Sequence, residues 1–266
     1  MPVDFDYQFH YEGFFGYSLT EDFSYWSLAH FLPILCLIAA VFFTFKYRDK
    51  IRNFKGEETL RFIIAGLMIF NECFYYWRLL YVGNGGSADP KQLLTYLPFQ
   101  VCEWSAYLAA FMMMKKSRNI FDICFYVSLT LGIIPLLTPA VIMQAGPTYA
   151  RYYQFWIEHL VPIYAVFYMM AVHGFRASYK RVYKPFIALG VLATFAIIAN
   201  TNIEGANFMY LASNTDGDSI ANLLPESIPV RLVLYLIILV VLFTLLSLPE
   251  IIRDIKNRRK KQKENA

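Results

Sequence analysis

The chain has 266 residues, of which 58% are hydrophobic and 17% charged, and its mean hydropathy is +0.41. Soluble domains typically carry about 25% charged residues, so this composition excludes an ordinary water-soluble globular domain and indicates a chain embedded in lipid. Four cysteines (Cys36, Cys73, Cys102 and Cys124) lie in apolar stretches without C-x-x-C spacing, which argues against a disulfide framework and a zinc ribbon.

Seven apolar runs predict an all-α, polytopic membrane bundle of about seven transmembrane helices. A run of about 20 residues crosses the hydrocarbon core at about 1.5 Å per residue. The predicted spans are 26–45, 59–81, 93–114, 118–138, 151–173, 184–203 and 229–248. We therefore predict an extracellular or interfacial N-terminal segment (1–25), a membrane domain (26–248) and a basic cytoplasmic tail (249–266). The N-terminal segment is acidic and aromatic, which does not favour a cleaved signal peptide.

The distribution of basic residues predicts the orientation in the membrane. If the N-terminus is outside, 20 of the 24 Lys and Arg fall in the cytoplasmic loops and in the C-terminal tail. Such an excess of Lys and Arg marks the cytoplasmic side of membrane proteins. We therefore predict a multi-pass protein of the cell membrane with a cytoplasmic C-terminus. The basic tail is interpreted as a topology anchor, and no nucleic-acid partner is predicted.

Polar groups from five predicted spans fall in the outer half of the membrane, most of them about 6–15 Å below the outer helix ends at about 1.5 Å per residue, with Arg78, Asn200 and Asn202 nearer the outer surface. These groups are His30, Glu72, Arg78, Gln100, Cys102, Glu103, Glu158, His159, Asn200 and Asn202. Ionisable groups inside spans are costly and usually mark a site or an internal pair. Since the inner halves of the spans hold few comparable groups, we predict one polar pocket in the outer half of the membrane. Pro98 and Pro162 are each expected to free a carbonyl of the preceding helical turn.

Two of these residues are candidates for catalysis. A Cys102 thiolate would be a good nucleophile toward esters if a neighbouring base lowered its pKa, although a membrane cysteine can equally be a small packing residue. His159 would be a suitable general base near neutral pH, or else a histidine hydrogen-bonded inside the bundle. Glu72 and Arg78 are six residues apart, beyond i+4 reach on one helix. Each is therefore expected to find a partner on another helix, either in a structural ion pair or in orienting a substrate.

No ligand spacing typical of a metal site is present. The residues that could form one are His30, His159, Cys102 and a carboxylate, but we predict neither a metal nor a cofactor. The chain also lacks P-loop, G-x-G-x-x-G and G-x-S-x-G motifs.

Several short motifs together resemble a known family. They are Leu97-Pro98-Phe99-Gln100-Val101-Cys102, Glu72 on the second span, Phe155-Trp156-Ile157-Glu158-His159, and Gly205-Ala206-Asn207-Phe208-Met209-Tyr210-Leu211. The chain resembles the YwaF-like bacterial integral membrane proteins, whose animal relative is transmembrane protein 164. The resemblance covers nearly the whole chain in order and spacing.

The resemblance implies a cysteine-dependent acyltransferase that moves fatty acyl chains between phospholipids. It implies Cys102 as the nucleophile and His159 as the required histidine. Many relatives carry a histidine where this chain has Gln100, and glutamine cannot shuttle a proton. The remaining polar residues are expected to orient substrate or bind the oxyanion: Gln100, Glu72, His30, Arg78, Glu103, Asn200, Asn202 and Asn207.

Two further classes of function stay open on the sequence. A small-molecule transporter, a substrate-binding membrane subunit or a sensor would also need polar groups at the middle of the membrane. A structural membrane subunit with a passive polar core is the third. For the enzyme, the expected partners are membrane phospholipids or lysophospholipids.

Overall fold

A computed structural model of the chain describes residues 14–15, 23–81, 94–139, 146–212, 225 and 227–264. All regular secondary structure in these residues is helical, which confirms the predicted class. Two short 3₁₀ helices occur at Tyr179–Arg181 and Phe208–Tyr210. The α-helices are α1 (Leu28–Lys46), α2 (Arg48–Arg52), α3 (Glu57–Tyr81), α4 (Val101–Lys115), α5 (Arg118–Thr130), α6 (Ile134–Leu137), α7 (Ala150–Val172), α8 (Tyr183–Asn202) and α9 (Ile228–Glu264).

Five helical stretches of the described chain are long and apolar enough to cross a membrane, which confirms a multi-pass membrane protein. The count of seven spans stays a prediction. The helix α3 has 25 residues but carries five charged ones, and α4 has only 15 residues. The five stretches are Leu28–Lys46, Arg118–Leu137, Ala150–Val172, Tyr179–Asn202 and Ile228–Arg258.

The central helix of the bundle is α7. It packs against α1, α3, α4 and α5. In its most apolar stretch 67% of the residues are buried, against 11% in the corresponding stretches of α1 and α9. Alanines at the contacts between α3, α4 and α7 are completely buried: Ala65, Ala109, Ala110 and Ala165. Small side chains let helix backbones approach closely in membranes. The face of α7 that looks inward is therefore the surface on which the other helices place their side chains.

The helices alternate in direction, and contacts show which of their ends meet. At one end, Arg52 Nε donates to Val172 O at 2.5 Å, and Lys184 Nζ lies 2.7 Å from Asp122 Oδ2. We call this the basic end, because the loop residues 46–55, 115–118 and 176–184 lie there. At the opposite end, Tyr76 Oη donates to Tyr96 O at 2.8 Å.

The predicted span 93–114 is wrong at its start. The helix α4 begins only at Val101, and the backbone of 95–100 is not helical. Pro98 therefore precedes the helix instead of kinking it, and the carbonyl of Leu94 accepts from Leu97 N at 3.4 Å. The residue before a proline is biased away from helical conformation, which accounts for the late start. Pro162 does lie inside α7, as predicted.

A buried ionic cluster at the basic end contradicts the expectation that the inner halves of the spans are poor in polar groups. Glu57 accepts from Arg61 Nε at 2.9 Å and from Tyr168 Oη at 3.0 Å, and its Oε1 lies 2.7 Å from His173 Nε2. Arg61 also donates to the carbonyl of Met113. The cluster joins α3 to α4 and α7. The sequence reasoning missed it, because Tyr168 and His173 are 111 and 116 residues from Glu57 in the chain, although the i, i+4 spacing of Glu57 and Arg61 was a readable signal.

The burial of this cluster predicts its effect on stability. Arg61→Met removes one partner of a pair whose side chains are only 2% and 10% exposed, and such losses cost about 3–5 kcal/mol. Arg48→Met is the matched control, because its pair with Asp49 is 54% and 72% exposed and exposed pairs contribute about 0–1 kcal/mol. Unfolding by SDS in mixed micelles measures both. Equal effects of the two substitutions would contradict the buried role of Arg61.

Candidate active site

The site is built where α4 begins inside the bundle. Gln100 is the N-cap, and Cys102 and Glu103 are the second and third residues of the helix. The backbone N–H of Gln100 donates to Glu103 Oε2 at 3.1 Å, an interaction that stabilises helix starts. It fixes the first turn of α4, and with it the position of the Cys102 thiol.

The thiol lies beside two residues of the central helix. One donor atom each from Cys102, Glu158 and His159 lie within 4.8 Å of one another. Glu158 and His159 are buried, and Cys102 is partly exposed. The structure thus brings the two predicted catalytic residues close to each other. It adds the carboxylate of Glu158, for which the sequence predicts a depth in the membrane but no role.

The hydrogen bonding of His159 fixes which ring nitrogen can act as a base. His159 Nδ1 lies 2.8 Å from the carbonyl oxygen of Phe155. A carbonyl can only accept, so Nδ1 carries the hydrogen and Nε2 keeps the lone pair. The neutral imidazole is therefore held in the tautomer that a general base requires, with Nε2 as the accepting atom.

Three carboxylates surround the thiol. Glu158, Glu103 and Glu72 all interact electrostatically with Cys102, with Glu158 first among them. Glu72 is 1% exposed, and among the described residues neither of its carboxylate oxygens has a hydrogen-bond partner. Arg151 on α7 is the cation that interacts with both Glu72 and Glu103.

The structure adds supporting residues that the sequence reasoning missed. Arg151 donates to Gln154 Oε1, and Gln154 Nε2 donates to Glu158 Oε2 at 3.3 Å. Asn71 on α3 donates to the carbonyl of Gln154 at 3.2 Å. The residues of α7 involved are spaced three or four apart, which places them on one helix face. That spacing was the available signal for finding them.

The predicted amide residues hold a short segment between α4 and α8. Gln100 Oε1 accepts from Met209 N at 2.8 Å. Asn200 pairs with both backbone groups of Phe208, at 2.7 and 3.0 Å. Asn207 Oδ1 accepts from Ala212 N at 3.1 Å. These side chains thus bind the protein backbone, so the sequence expectation that they orient substrate finds no support in their contacts.

The segment held in this way has an unusual backbone. Met209 and Tyr210 have φ angles of +54° and +50°, which are uncommon for residues other than glycine. Arg231 on α9 donates to the carbonyl of Tyr210 at 2.6 Å. Tyr210 in turn interacts electrostatically with Cys102. Strained backbone of this kind persists only where the surroundings fix it, and here it places a phenol near the thiol.

The remaining predicted residues have partners of their own. His30 accepts from Trp26 N at 3.1 Å through Nδ1, and its Nε2 lies 2.8 Å from Leu136 O. Because both nitrogens are engaged, His30 holds α1 to α6. Arg78 Nε donates to Phe15 O at 3.4 Å. Asn202 is exposed and bonds back to Ile198 O of its own helix.

The match to a protein family covers this whole site. The model of the TMEM164 family matches residues 25–247. The chain belongs to the TMEM164 family. The matched region includes α1 and reaches far into α9, so the cysteine, the histidine and all three carboxylates fall within the TMEM164 match. The narrower YwaF-like label stays a prediction. No curated protein and no solved structure matches the chain.

The contacts of the two asparagines at the end of α8 predict different effects on stability. Asn200→Leu leaves the N–H of Phe208 without its partner and removes one of the two donors to the Phe208 carbonyl, and an unsatisfied buried group costs about 1–3 kcal/mol. Asn202→Leu is the matched control, and its exposed side chain is expected to change stability by no more than about 0.5 kcal/mol. SDS unfolding in mixed micelles measures the difference. If Asn202→Leu costs as much as Asn200→Leu, the assigned role of Asn200 is wrong.

Proposed function

We propose that this member of the TMEM164 family is a membrane acyltransferase that moves a fatty acyl chain between phospholipids through a thioester on Cys102. The observation that supports this best is the placement of the Cys102 thiol beside His159, within 4.8 Å. That distance spans a direct contact or one bridging water. Because His159 Nδ1 donates to Phe155 O, this nearby base has its lone pair on Nε2.

In the first half-reaction the Cys102 proton passes to His159 Nε2, and the thiolate attacks the ester carbonyl of a donor phospholipid. The tetrahedral intermediate collapses to the thioester, and the lysophospholipid leaves with the proton from the imidazolium. In the second half-reaction Nε2 takes the proton of an acceptor lysophospholipid hydroxyl, whose oxygen attacks the thioester. The departing thiolate then regains that proton, so the enzyme ends as it began.

The first turn of α4 is the proposed site for the oxyanion. The first N–H groups of a helix have no partner within the helix, and the partial positive charge there favours an anion. Cys102 lies in this turn. Gln100 and Asn200 were the alternatives from the sequence, but their amides bind the backbone of Met209 and Phe208. The proposal therefore assigns the oxyanion to backbone N–H groups, the type of donor that oxyanion holes use.

Glu158 has a double effect in this scheme. Its negative charge stabilises the imidazolium that forms on His159 and opposes a permanent thiolate on Cys102. The thiolate then exists only while the proton is on His159, as one partner of an ion pair. Such a nucleophile forms when substrate is in place, which suits a site that faces lipid.

A small-molecule transporter is the second candidate function. The ionic cluster of Glu57, Arg61 and His173 supplies a second polar region, which a two-sided pathway would need. Between it and Cys102 lie closely packed apolar residues, among them Met68, Ala109 and Ala165. This layer favours chemistry at one side of the membrane over passage through it.

The acyltransferase proposal predicts a measurable exchange reaction. Purified protein given labelled phospholipid and unlabelled lysophospholipid is expected to exchange acyl chains. Cys102→Ser and His159→Gln are each expected to lower the rate by about 100-fold or more, as for loss of a nucleophile or a general base. Mass spectrometry of the intact protein should detect the acyl group on Cys102.

Cys36→Ser is the matched control, because Cys36 is exposed on α1, and its exchange rate is expected to match that of the unsubstituted protein. Exchange that persists unchanged in Cys102→Ser would refute the proposal.

We also propose seven spans, an outside N-terminus, a cytoplasmic C-terminus, and a site in the outer half of the cell membrane. The clustering of basic loops at one end supports this orientation. A reporter fused after residue 264 is expected to show cytoplasmic activity, for instance as a fluorescent fusion protein. An active alkaline phosphatase fusion at the same point, which requires export, would reverse the proposed orientation.

A further inference from the structure

We propose that the three donor atoms at the site also bind one Zn²⁺ ion, which blocks acyl transfer while it is bound. The zinc site is formed by Cys102 Sγ, His159 Nε2 and a carboxylate oxygen of Glu158. Zinc binding stands on the geometry alone, whereas its effect on acyl transfer rests on the proposed function.

The donor set is one that zinc prefers. Thiolate, imidazole and carboxylate are the three kinds of side chain that bind Zn²⁺ in proteins, at about 2.0–2.3 Å. Tetrahedral coordination at these lengths places the donor atoms about 3.3–3.8 Å apart. One donor atom from each of the three side chains already lies within 4.8 Å of the other two, so side-chain rotations that move the donor atoms by about 1 Å complete the site. Three protein ligands leave a fourth position open for water.

The neighbours of these ligands are arranged as they are around bound metals. A histidine ligand usually donates its second ring N–H to a carbonyl or a carboxylate, and a carboxylate ligand is itself hydrogen-bonded. His159 Nδ1 has this partner in Phe155 O at 2.8 Å. Glu158 Oε2 has it in Gln154 Nε2 at 3.3 Å. The ring nitrogen directed away from the carbonyl is therefore Nε2, the atom proposed as ligand.

A buried carboxyl group without a partner lies near the ligands. Glu72 is 1% exposed and has no hydrogen-bond partner for either carboxyl oxygen in the described part of the chain. Glu72 and Glu103 both interact electrostatically with the proposed ligand Glu158. A buried polar group is costly unless it is hydrogen-bonded, and a bound cation with its water would supply such a partner.

Zinc and substrate would compete for the same atoms. A thiolate bound to the metal cannot form a thioester, and a metal on His159 Nε2 takes the lone pair that would accept the thiol proton. Binding releases the thiol proton, because the ligand is the thiolate. Occupancy by zinc therefore removes the nucleophile and the base together, and chelation restores both.

The test uses the purified full chain in detergent with Zn²⁺ alone as the probe. Competition with a chromophoric chelator, and elemental analysis after gel filtration, are expected to show one high-affinity zinc per chain. Co²⁺ in its place is expected to give a thiolate-to-metal absorption band. Cys102→Ser should abolish the band and weaken zinc binding by more than the roughly 10- to 100-fold cost of losing a supporting partner. Gln154→Met should weaken binding by about 10- to 100-fold, and Cys36→Ser should leave it unchanged.

Thermal unfolding of each variant without metal checks that it is folded, and Glu158→Gln offers a second ligand variant if Cys102→Ser is not. Zinc binding that is absent, or equal in the ligand variants and Cys36→Ser, overturns the inference. Zinc binding without acyl exchange in the metal-free protein would refute the proposed function but not the zinc site. Acyl exchange that zinc does not inhibit would refute the inhibitory role and leave the acyltransferase standing.

Discussion

A helix that starts inside a membrane bundle has backbone N–H groups that lipid cannot satisfy. The start of α4, at the end of the bundle opposite the basic end, is built around this constraint. In α4 the first turn is supported by the pairing of Gln100 with Glu103. The cap is in turn held to the segment around Phe208 and Met209 through Gln100, and Asn200 holds the same segment to α8. Irregular backbone is tolerated at membrane depth only where protein or water serves it. The same arrangement brings the thiol to a position beside α7.

The central helix carries polar side chains at both of its ends and apolar ones between them. Near its start the spacing of Arg151, Gln154 and Glu158 forms one polar face. Near its end Tyr168 contributes to the ionic cluster around Glu57. Because α7 packs against α1, α3, α4 and α5 and also contacts the short helices α2 and α6, polar groups on it meet partners from several helices at once. Each polar group is costly to bury alone, so both clusters also fix how α3 and α4 pack on α7.

Hydropathy and helix length were sufficient for the all-helical, multi-pass architecture, because lipid demands long apolar helices. Counting residues along helices also predicted that Cys102 and His159 lie at similar depth, and the structure places them together. The start of α4 was missed, since 93–100 is as apolar as a helix would be, although Pro98 was a readable signal. The roles of Gln100 and Asn200 could not be predicted from the sequence, because their partners are backbone atoms of the segment at Phe208 and Met209. The ionic cluster at the basic end was missed because Tyr168 and His173 lie far from Glu57 in the chain.

The carboxylates around Cys102 connect the two proposals made for this site. In surroundings of low dielectric constant, a carboxylate on Glu158 close to the thiol opposes a standing thiolate, so the resting site holds either a proton or a metal ion on the sulfur. When the proton is on sulfur, the site is uncharged at the thiol and the imidazole and can bind an ester. Charge then develops only while the sulfur attacks the ester carbonyl. With a divalent cation, the thiolate is stable but no longer nucleophilic. A proton on the thiol and a metal ion at the site are thus alternatives. Glu158 is adjacent to both Cys102 and His159, and its carboxylate favours both the proton and the metal ion.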